Sequence, residues 1–462
     1  MDARLSTALL AGKTATLLSR RLGMGGGTTF PGSVARRLDP RALAKMAAAL
    51  KHGSVVVTGT NGKTTTSRLI ANIMRTASLH PVHNRAGANL LGGVTSALIG
   101  ATGLSGRPRA DIGLFEVDEA VMPAVVKEVR PRVVLITNLF RDQLDRYGEV
   151  DYLAKIWRKG LAELGEDATV VLNADDPLVA NLGEGLRAKT LYYGLDDERQ
   201  GSPTLPHAAD SKSCLRCGSR FAYSVVYYGH IGVYRCPNCG AARPDPQVRA
   251  TSVTPRGTEG SDLVLATPAG ELALSSGMPG LYNTYNTLAA TACSHALGIA
   301  PANVAEAVRT FAAAFGRIER IEIEGKKVFL ALVKNPVGFG EVLRTVLADG
   351  TPKNLFIIIN DKFADGTDIS WLWDVDFELI QGHANFVVVS GIRAEDMAVR
   401  LKYAQVPSDK VLLEKDLRTA LDKGLSWTPP GETLYVLPTY TAMLEVRQIM
   451  HHLGYVGRFW ED

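Results

Sequence analysis

The stretch SVVVTGTNGKTTTSRLIANIM, residues 54–74, decides the fold. It begins with an unbroken apolar run, Val55, Val56 and Val57, which suits a strand covered on both faces. It then turns through Gly59-Thr60-Asn61-Gly62 and takes on helical spacing, with Leu69, Ile70, Ile73 and Met74 falling on one face. A glycine-containing turn between a strand and a helix puts backbone N–H groups and a helix N-terminus where phosphate oxygens bind. Lys63 is placed to reach the β and γ oxygens of a triphosphate, and the Thr64 hydroxyl to ligate Mg2+. Gly59, Thr60, Asn61, Gly62, Lys63, Thr64 and Thr65 are therefore the expected nucleotide-binding residues. The loop is tighter than the common G-x-x-x-x-G-K-[ST], since Val57 stands five residues before Gly62. Its position between strand and helix gives the pattern its weight.

Outward from this loop, an α/β block is expected over residues 51–314. Strands are predicted at 111–118 (DIGLFEVD), 132–139 (RVVLITNL), 169–176 (TVVLNADD) and 190–195 (TLYYGL), with helical stretches between the earlier ones. That alternation predicts a mostly parallel sheet with helices on both faces. A second, smaller Rossmann-like block follows over 315–462, with strands at 354–360, 385–391 and 433–440. The chain has 462 residues, 46% of them apolar and 21% charged, as in a globular protein of two or three domains. Its net charge of +4 gives no case for nucleic acid. It has no apolar run long enough to span a bilayer, and its N-terminus lacks the layout of a signal peptide. A cytoplasmic location is expected. Residues 1–50 carry eight basic and two acidic side chains, a net of +6. They read as a short, basic, solvated and partly helical leader. The sharper alternative is an arm leaning on an anionic membrane surface or substrate, where each basic residue adds about 1 kcal/mol.

Residues 201–250 turn polar and contain Cys214-x2-Cys217 and Cys236-x2-Cys239, with 18 residues between the pairs. This is zinc-ribbon spacing, and four thiolates fill a tetrahedral shell, so the Zn2+ expected here is structural. The alternative is a redox pair or two disulfides, which a reducing cytosol disfavours. Cys293 reads as a small core residue and His230 as a surface or packing histidine.

The sequence T-G-T-N-G-K-T-T-T (58–66) resembles the phosphate loop of the Mur ligases and folylpolyglutamate synthetases. The resemblance extends to Glu116 in L-F-E-V-D-E, to Thr137-Asn138 followed by Asp142, Asp145 and Gly148, to Asn173–Pro177, and to Gly280-Leu-Tyr-Asn283-Thr-Tyr-Asn286. It implies a Mur ligase central ATPase domain with the zinc ribbon inserted in it, followed by the Rossmann-like C-terminal domain. It also implies activation of a carboxylate by ATP to an acyl phosphate, then attack by an amine. Glu116 would hold Mg2+ together with Thr64, and Asn283 and Asn286 would lie by the nucleotide base.

Three departures narrow the reading. Only about 50 residues precede the loop, which suits a lipid-linked substrate better than a UDP-linked one. The position of the family's carbamylated lysine is Trp157, flanked by Lys155 and Lys159. The segments Lys334–Phe339, Asp365–Asp374 and Leu437–Leu444 resemble the branch of the family that amidates the D-glutamate of lipid II at the inner membrane face, in a heterodimer with a GatD-like glutaminase. That resemblance implies ammonia as the nucleophile. The acidic stretch after the strand at 354–360 supplies Asp361, Asp365, Asp368 and Asp374. Asp368 is the expected carboxylate facing ammonia or the partner, with Asp365 next, and orienting the nucleophile suits it better than acting as a base towards ammonium. Lys63, Glu116 and Asp368 are thus the expected catalytic set. The alternatives are a ligase adding an amino acid, or a non-catalytic ATP-binding scaffold.

Overall fold

The computed structural model describes residues 2–21, 29–84, 88–141, 150–206, 209–311 and 318–457. The expected boundary at 314/315, the Asp142, Asp145 and Gly148 segment, and most of the glycine-rich stretch at 23–32 lie outside these residues.

The leader forms α1 (Ala3–Arg21), α2 (Phe30–Leu38) and α3 (Ala42–Ala48). It is not a solvated arm. Leu5, Ala8, Leu9, Leu43 and Met46 are buried in one cluster with Phe115 and Val125 of the α/β block. The inward residues of α1 stand three and four apart, which leaves Arg4 exposed and Lys13 only partly covered. Arg36 makes a two-pronged ion pair with Glu128, at 2.6 and 2.8 Å.

The phosphate-loop strand is β1 (Ser54–Thr58), buried along its whole length, and it feeds α4 (Lys63–Thr76). There follow β2 (Pro81–His83), α5 (Leu91–Ala101), β3 (Ile112–Glu116), α6 (Met122–Val129), β4 (Val133–Ile136), α7 (Val150–Leu161), β5 (Thr169–Asn173), α8 (Pro177–Ala180) and β6 (Lys189–Leu195). The ribbon contributes the hairpin β7 (Ala222–Tyr228) and β8 (Ile231–Arg235). Then come β9 (Val248–Pro255), β10 (Ser261–Thr267), β11 (Gly270–Ser276), α9 (Leu281–Leu297) and α10 (Pro301–Thr310). The leader docks tightly on α5: a Cβ on Gly32 would lie 1.9 Å from the Gly92 carbonyl oxygen.

Among the described residues the main sheet runs β11-β10-β9-β6-β5-β4-β1-β3-β2. It is parallel from β2 through β9, then antiparallel through β10 and β11. That last meander is an antiparallel addition to the α/β block expected over 51–314. The burial of β9 and β10 alternates along each strand, the mark of a sheet covered on one face. Because β1 lies between β3 and β4, the loops after these three strands converge at their carboxyl ends, where open α/β sheets bind ligands.

The third block holds β12 (Ile318–Ile323), β13 (Lys326–Ala331), α11 (Pro336–Leu347), β14 (Lys353–Ile358), β15 (Ala384–Ser390), α12 (Ala394–Tyr403), β16 (Val411–Leu413), α13 (Leu417–Trp427), β17 (Thr433–Pro438) and α14 (Tyr440–His452). Its sheet order is β12-β13-β17-β14-β15-β16, parallel except for the β12–β13 hairpin. Separate cores cover its two faces. No helix among the described residues is long and apolar enough to cross a membrane.

Candidate active site

Gly59 and Gly62 both have positive φ, +131° and +85°, and Gly62 caps the N-terminus of α4. Neither position has room for a side chain. A Cβ on Gly59 would lie 2.2 Å from Thr137 Oγ1, and one on Gly62 would lie 2.1 Å from Asn286 Oδ1. The loop between them is fixed from neighbouring strands. Asn61 N–H donates to Asn138 Oδ1 at 2.8 Å, and Thr137 Oγ1 donates to Asn61 O at 2.8 Å. Thr60 Oγ1 accepts from Phe140 N–H at 2.9 Å. From α9, Asn286 Oδ1 accepts from Thr66 Oγ1 at 3.2 Å, while its amide donates to Asn283 Oδ1 at 2.9 Å. The nine residues expected to bind nucleotide are therefore brought together.

Thr64 Oγ1 lies 2.9 Å from Glu116 Oε1. A hydroxyl and a carboxylate at a helix N-terminus form a hard-oxygen pair of the kind Mg2+ takes, with room left for phosphate and water. Asn84 fixes Glu116 by its backbone, accepting its N–H at 2.9 Å and donating to its carbonyl at 2.7 Å. Lys63 Nζ lies 2.6 Å from Glu119 Oε1 and 3.2 Å from Thr60 O. Burial pushes the Glu119 carboxyl above the usual range, against the pull of Lys63 and Lys334. The Trp157 indole N–H donates to Glu119 O at 2.8 Å. Sequence reasoning missed Glu119 and Asn84. The signal for Glu119 was its place three residues beyond Glu116, which brings it to the same strand end.

The cleft beside this loop opens between the two blocks, with about 850 Å3 of space that includes its open mouth. Asn61, Thr64, Asn283 and Asn286 line one wall, and Lys334 and Glu341 the other. Asn335 bridges the blocks, donating to Asn61 Oδ1 at 2.9 Å.

The four cysteines of the insert converge, with all four Sγ atoms within 4.8 Å of one another. Cys214 and Cys239 stand 3.5 Å apart, and Cys217 and Cys236 3.4 Å, too far for disulfides. The cluster could hold a metal ion. The glycines after each pair, Gly218 and Gly240, have φ of +75° and +76°, which lets the chain wrap the thiols. Cys293 is fully buried and pushed up to about 12 by burial. His230 is a packing residue and not a surface one: it is wholly buried, its ring 4.7 Å from that of Phe140.

The four aspartates of the third block separate by environment. Asp361 pairs with Arg393 at 2.6 Å. Asp365 is buried and accepts Thr441 N–H at 2.7 Å, together with the Thr441 hydroxyl. Asp368 is exposed and accepts Ser370 N–H at 2.8 Å. Asp365, Asp368 and Asp374 all line a second cleft with Arg141, Lys334 and Asn335. Lys334 lines both clefts, so the one that Asp368 lines adjoins the one beside the 59–64 loop.

A parallel sheet with this loop, a carboxylate at the end of the next strand and a second α/β block across the cleft define an ATP-dependent ligase of Mur architecture. Residues 57–242 match the family model described as Mur ligase middle domain, and residues 332–443 match MurT ligase C-terminal. Subunit MurT of the glutamine-hydrolysing lipid II isoglutaminyl synthase of Streptococcus pneumoniae is 32% identical over 455 residues, covering 97% of this chain and 98% of that protein. The same subunit from Staphylococcus aureus N315 is 33% identical, covering 95% of each. A pseudomurein peptide ligase type C from Methanothermus fervidus shares the fold, with a TM-score of 0.67 at 23% identity over 87% of this chain and 78% of its own. The ADP complex of Mycobacterium tuberculosis folylpolyglutamate synthase scores 0.62 at 14% identity, over 91% and 95%. The chain belongs to the MurT group of the Mur ligase family.

Proposed function

We propose that this chain amidates the D-glutamate α-carboxylate of lipid II, giving D-isoglutamine, with ATP as the activating substrate and ammonia from a GatD-like glutaminase partner. The observation that carries the reading is Thr64 beside Glu116 at the head of α4, with Lys63 next in the same loop. A carboxylate oxygen of the substrate attacks the γ-phosphorus of ATP, and the bond to the β–γ bridging oxygen breaks, releasing ADP. Ammonia then adds to the acyl carbon of the acyl phosphate. Phosphate leaves with the former carboxylate oxygen, and a proton is lost from nitrogen. The N–H groups of residues 59–64 and the Lys63 ammonium bind and orient the triphosphate; Asn283 and Asn286 line the base side. Thr64 and Glu116 would hold Mg2+, which would supply charge neutralisation on the transferring phosphoryl group. Closure of the third block over the loop, along the Asn335–Asn61 contact, keeps water from the acyl phosphate.

Asp368 is the carboxylate that orients ammonia or meets the partner, because it is exposed on the cleft while Asp365 is committed to Thr441. The four cysteines would hold Zn2+ in a structural role, their thiols filling its shell. With those thiols in the cluster and Cys293 buried, ammonia generation falls to the partner. The chain works in the cytoplasm, and α1 presents Leu10, Leu17 and Leu18 to solvent near Lys13, a surface suited to peripheral contact with an anionic bilayer. The test is product mass after incubation with the partner, ATP, lipid II and ammonium. Replacement of OH by NH2 supports the proposal; gain of an amino-acid residue, or no turnover, contradicts it.

A further inference from the structure

The ribbon hairpin has two unlike ends. At its open end Cys217 and Cys239 are exposed to solvent. At its turn Tyr227, Tyr228, His230 and Ile231 are all buried. The seven residues of β7 separate these ends by about 20 Å. A zinc ribbon serving only to tidy an insert has no need to drive its turn into the catalytic block.

The turn lands on the nucleotide cleft. Tyr228 lines it together with Thr64, Asn283, Asn286 and Glu341. Its ring is held from behind by Tyr285, 5.4 Å away and edge-on, and by Phe140 at 6.0 Å. Gly229 has φ +54°, and a Cβ there would stand 2.9 Å from the Phe140 ring and 3.4 Å from Val337 of α11, so the turn touches both blocks. His230 Nε2 lies 3.3 Å from Asp176 Oδ1. Asp176 Oδ2 accepts Leu139 N–H at 2.8 Å, and the next residue, Phe140, donates its N–H to Thr60 of the phosphate loop at 2.9 Å. Three contacts, the approach of His230 to Asp176 and two hydrogen bonds, thus run from the ribbon turn to the phosphate loop. The base of the hairpin is clamped as well, since Asp175 accepts from Arg243 of the insert and from Tyr285 of α9, at 2.5 and 2.6 Å.

Backbone pairing alone does not define this hairpin. The β7–β8 register shifts twice, between Tyr223 and Val225 and between Val226 and Tyr228. A two-stranded ladder is marginal in isolation, and irregular register weakens the specification of its turn. A metal that cross-links the open end supplies the missing constraint.

We infer that the ribbon is a working wall of the nucleotide site: Tyr228 packs against the base of the bound nucleotide, and metal at Cys214, Cys217, Cys236 and Cys239 holds it there. This rests on the reading that the cleft takes ATP. Metal occupancy then sets nucleotide affinity from the far end of the hairpin.

The test uses the full chain with its glutaminase partner and MgADP as the probe, by calorimetry, alongside KM and kcat for ATP. Tyr228→Ala should retain its metal, weaken MgADP and raise KM for ATP about tenfold, the usual cost of removing an aromatic partner from a base, with kcat changed far less. Tyr228→Phe should bind as the parent does. If Tyr228→Ala does not fold, Tyr228→Leu makes the same comparison with the bulk kept and the ring removed. Stripping metal with a chelator should weaken MgADP in the parent and be reversed by Zn2+, and should have little further effect in the ring-less variant. Parent-like MgADP binding by the ring-less variant, or by the stripped parent, would overturn the inference. Failure of the metal-loaded parent itself to bind MgADP or MgATP would instead overturn the ATP reading, and this inference with it.

Discussion

Lys63 Nζ and Glu119 Oε1 form a buried ion pair at 2.6 Å, with side-chain exposures of 11% and 6%. The phosphate-loop lysine is therefore aimed by a carboxylate from the β3–α6 connection. Removing one member of such a pair leaves the other charge buried and costs about 3–5 kcal/mol. Glu119→Ala should show that loss in chemical denaturation and should raise KM for ATP. Glu119→Gln, which keeps the side-chain volume and one acceptor oxygen, should lose less. A Glu119→Ala chain as stable as the parent would remove the case for this pairing.

Glu341 faces the same cleft from α11, and burial pushes its carboxyl up to about 7 from 4.5. A raised folded-state value favours the folded chain at low pH. The contribution is complete below the unfolded value near 4.5 and is lost as pH rises through about 7. The full swing is roughly 3 kcal/mol. Stability measured between pH 4.5 and 8 should fall across that window in the parent, and the Glu341→Gln chain should lack that component of the slope.

The cysteine cluster predicts one Zn2+ per chain by elemental analysis. Cys236→Ser should lose the metal and unfold at lower temperature, since Cys236 is fully buried within the cluster. Metal-free protein with an unchanged melting curve would contradict a structural site.

Asp365 and Asp368 should part company on substitution. Asp365→Ala strands the Thr441 N–H and hydroxyl at the start of α14 and should cost about 1–3 kcal/mol of stability. Asp368→Asn should leave stability within error of the parent and slow amidation driven by glutamine. The opposite pattern would transfer the functional role to Asp365.

How much of this was legible depends on how local the cause is. The strand, loop and helix at 54–74 could be read directly, because burial on both faces leaves an unbroken valine run and the left-handed turn positions demand glycine. The cysteine spacing was equally local. Glu119's place at the strand end could be read from its spacing to Glu116, but its buried pairing could not, because that depends on Trp157 and on Lys334 from the other block, residues remote in sequence. Leu5, Ala8 and Leu9 gave a helical stripe that the basic residues around them obscured, so the leader read as solvated although it packs on α5 and α6. The ribbon's spacing indicated a metal, yet the seat of its turn against Phe140 and Tyr285 is a tertiary fact without a local signature.

The central claim, activation of a carboxylate by ATP before amide formation, is tested most directly by isotope transfer. Lipid II carrying a heavy oxygen isotope in its D-glutamate α-carboxylate is incubated with the complex, ATP and ammonium, and the released phosphate is weighed. The account predicts one substrate oxygen in each phosphate formed, and no transfer in a Lys63→Ala chain. Unlabelled phosphate accompanying amidated product would contradict it.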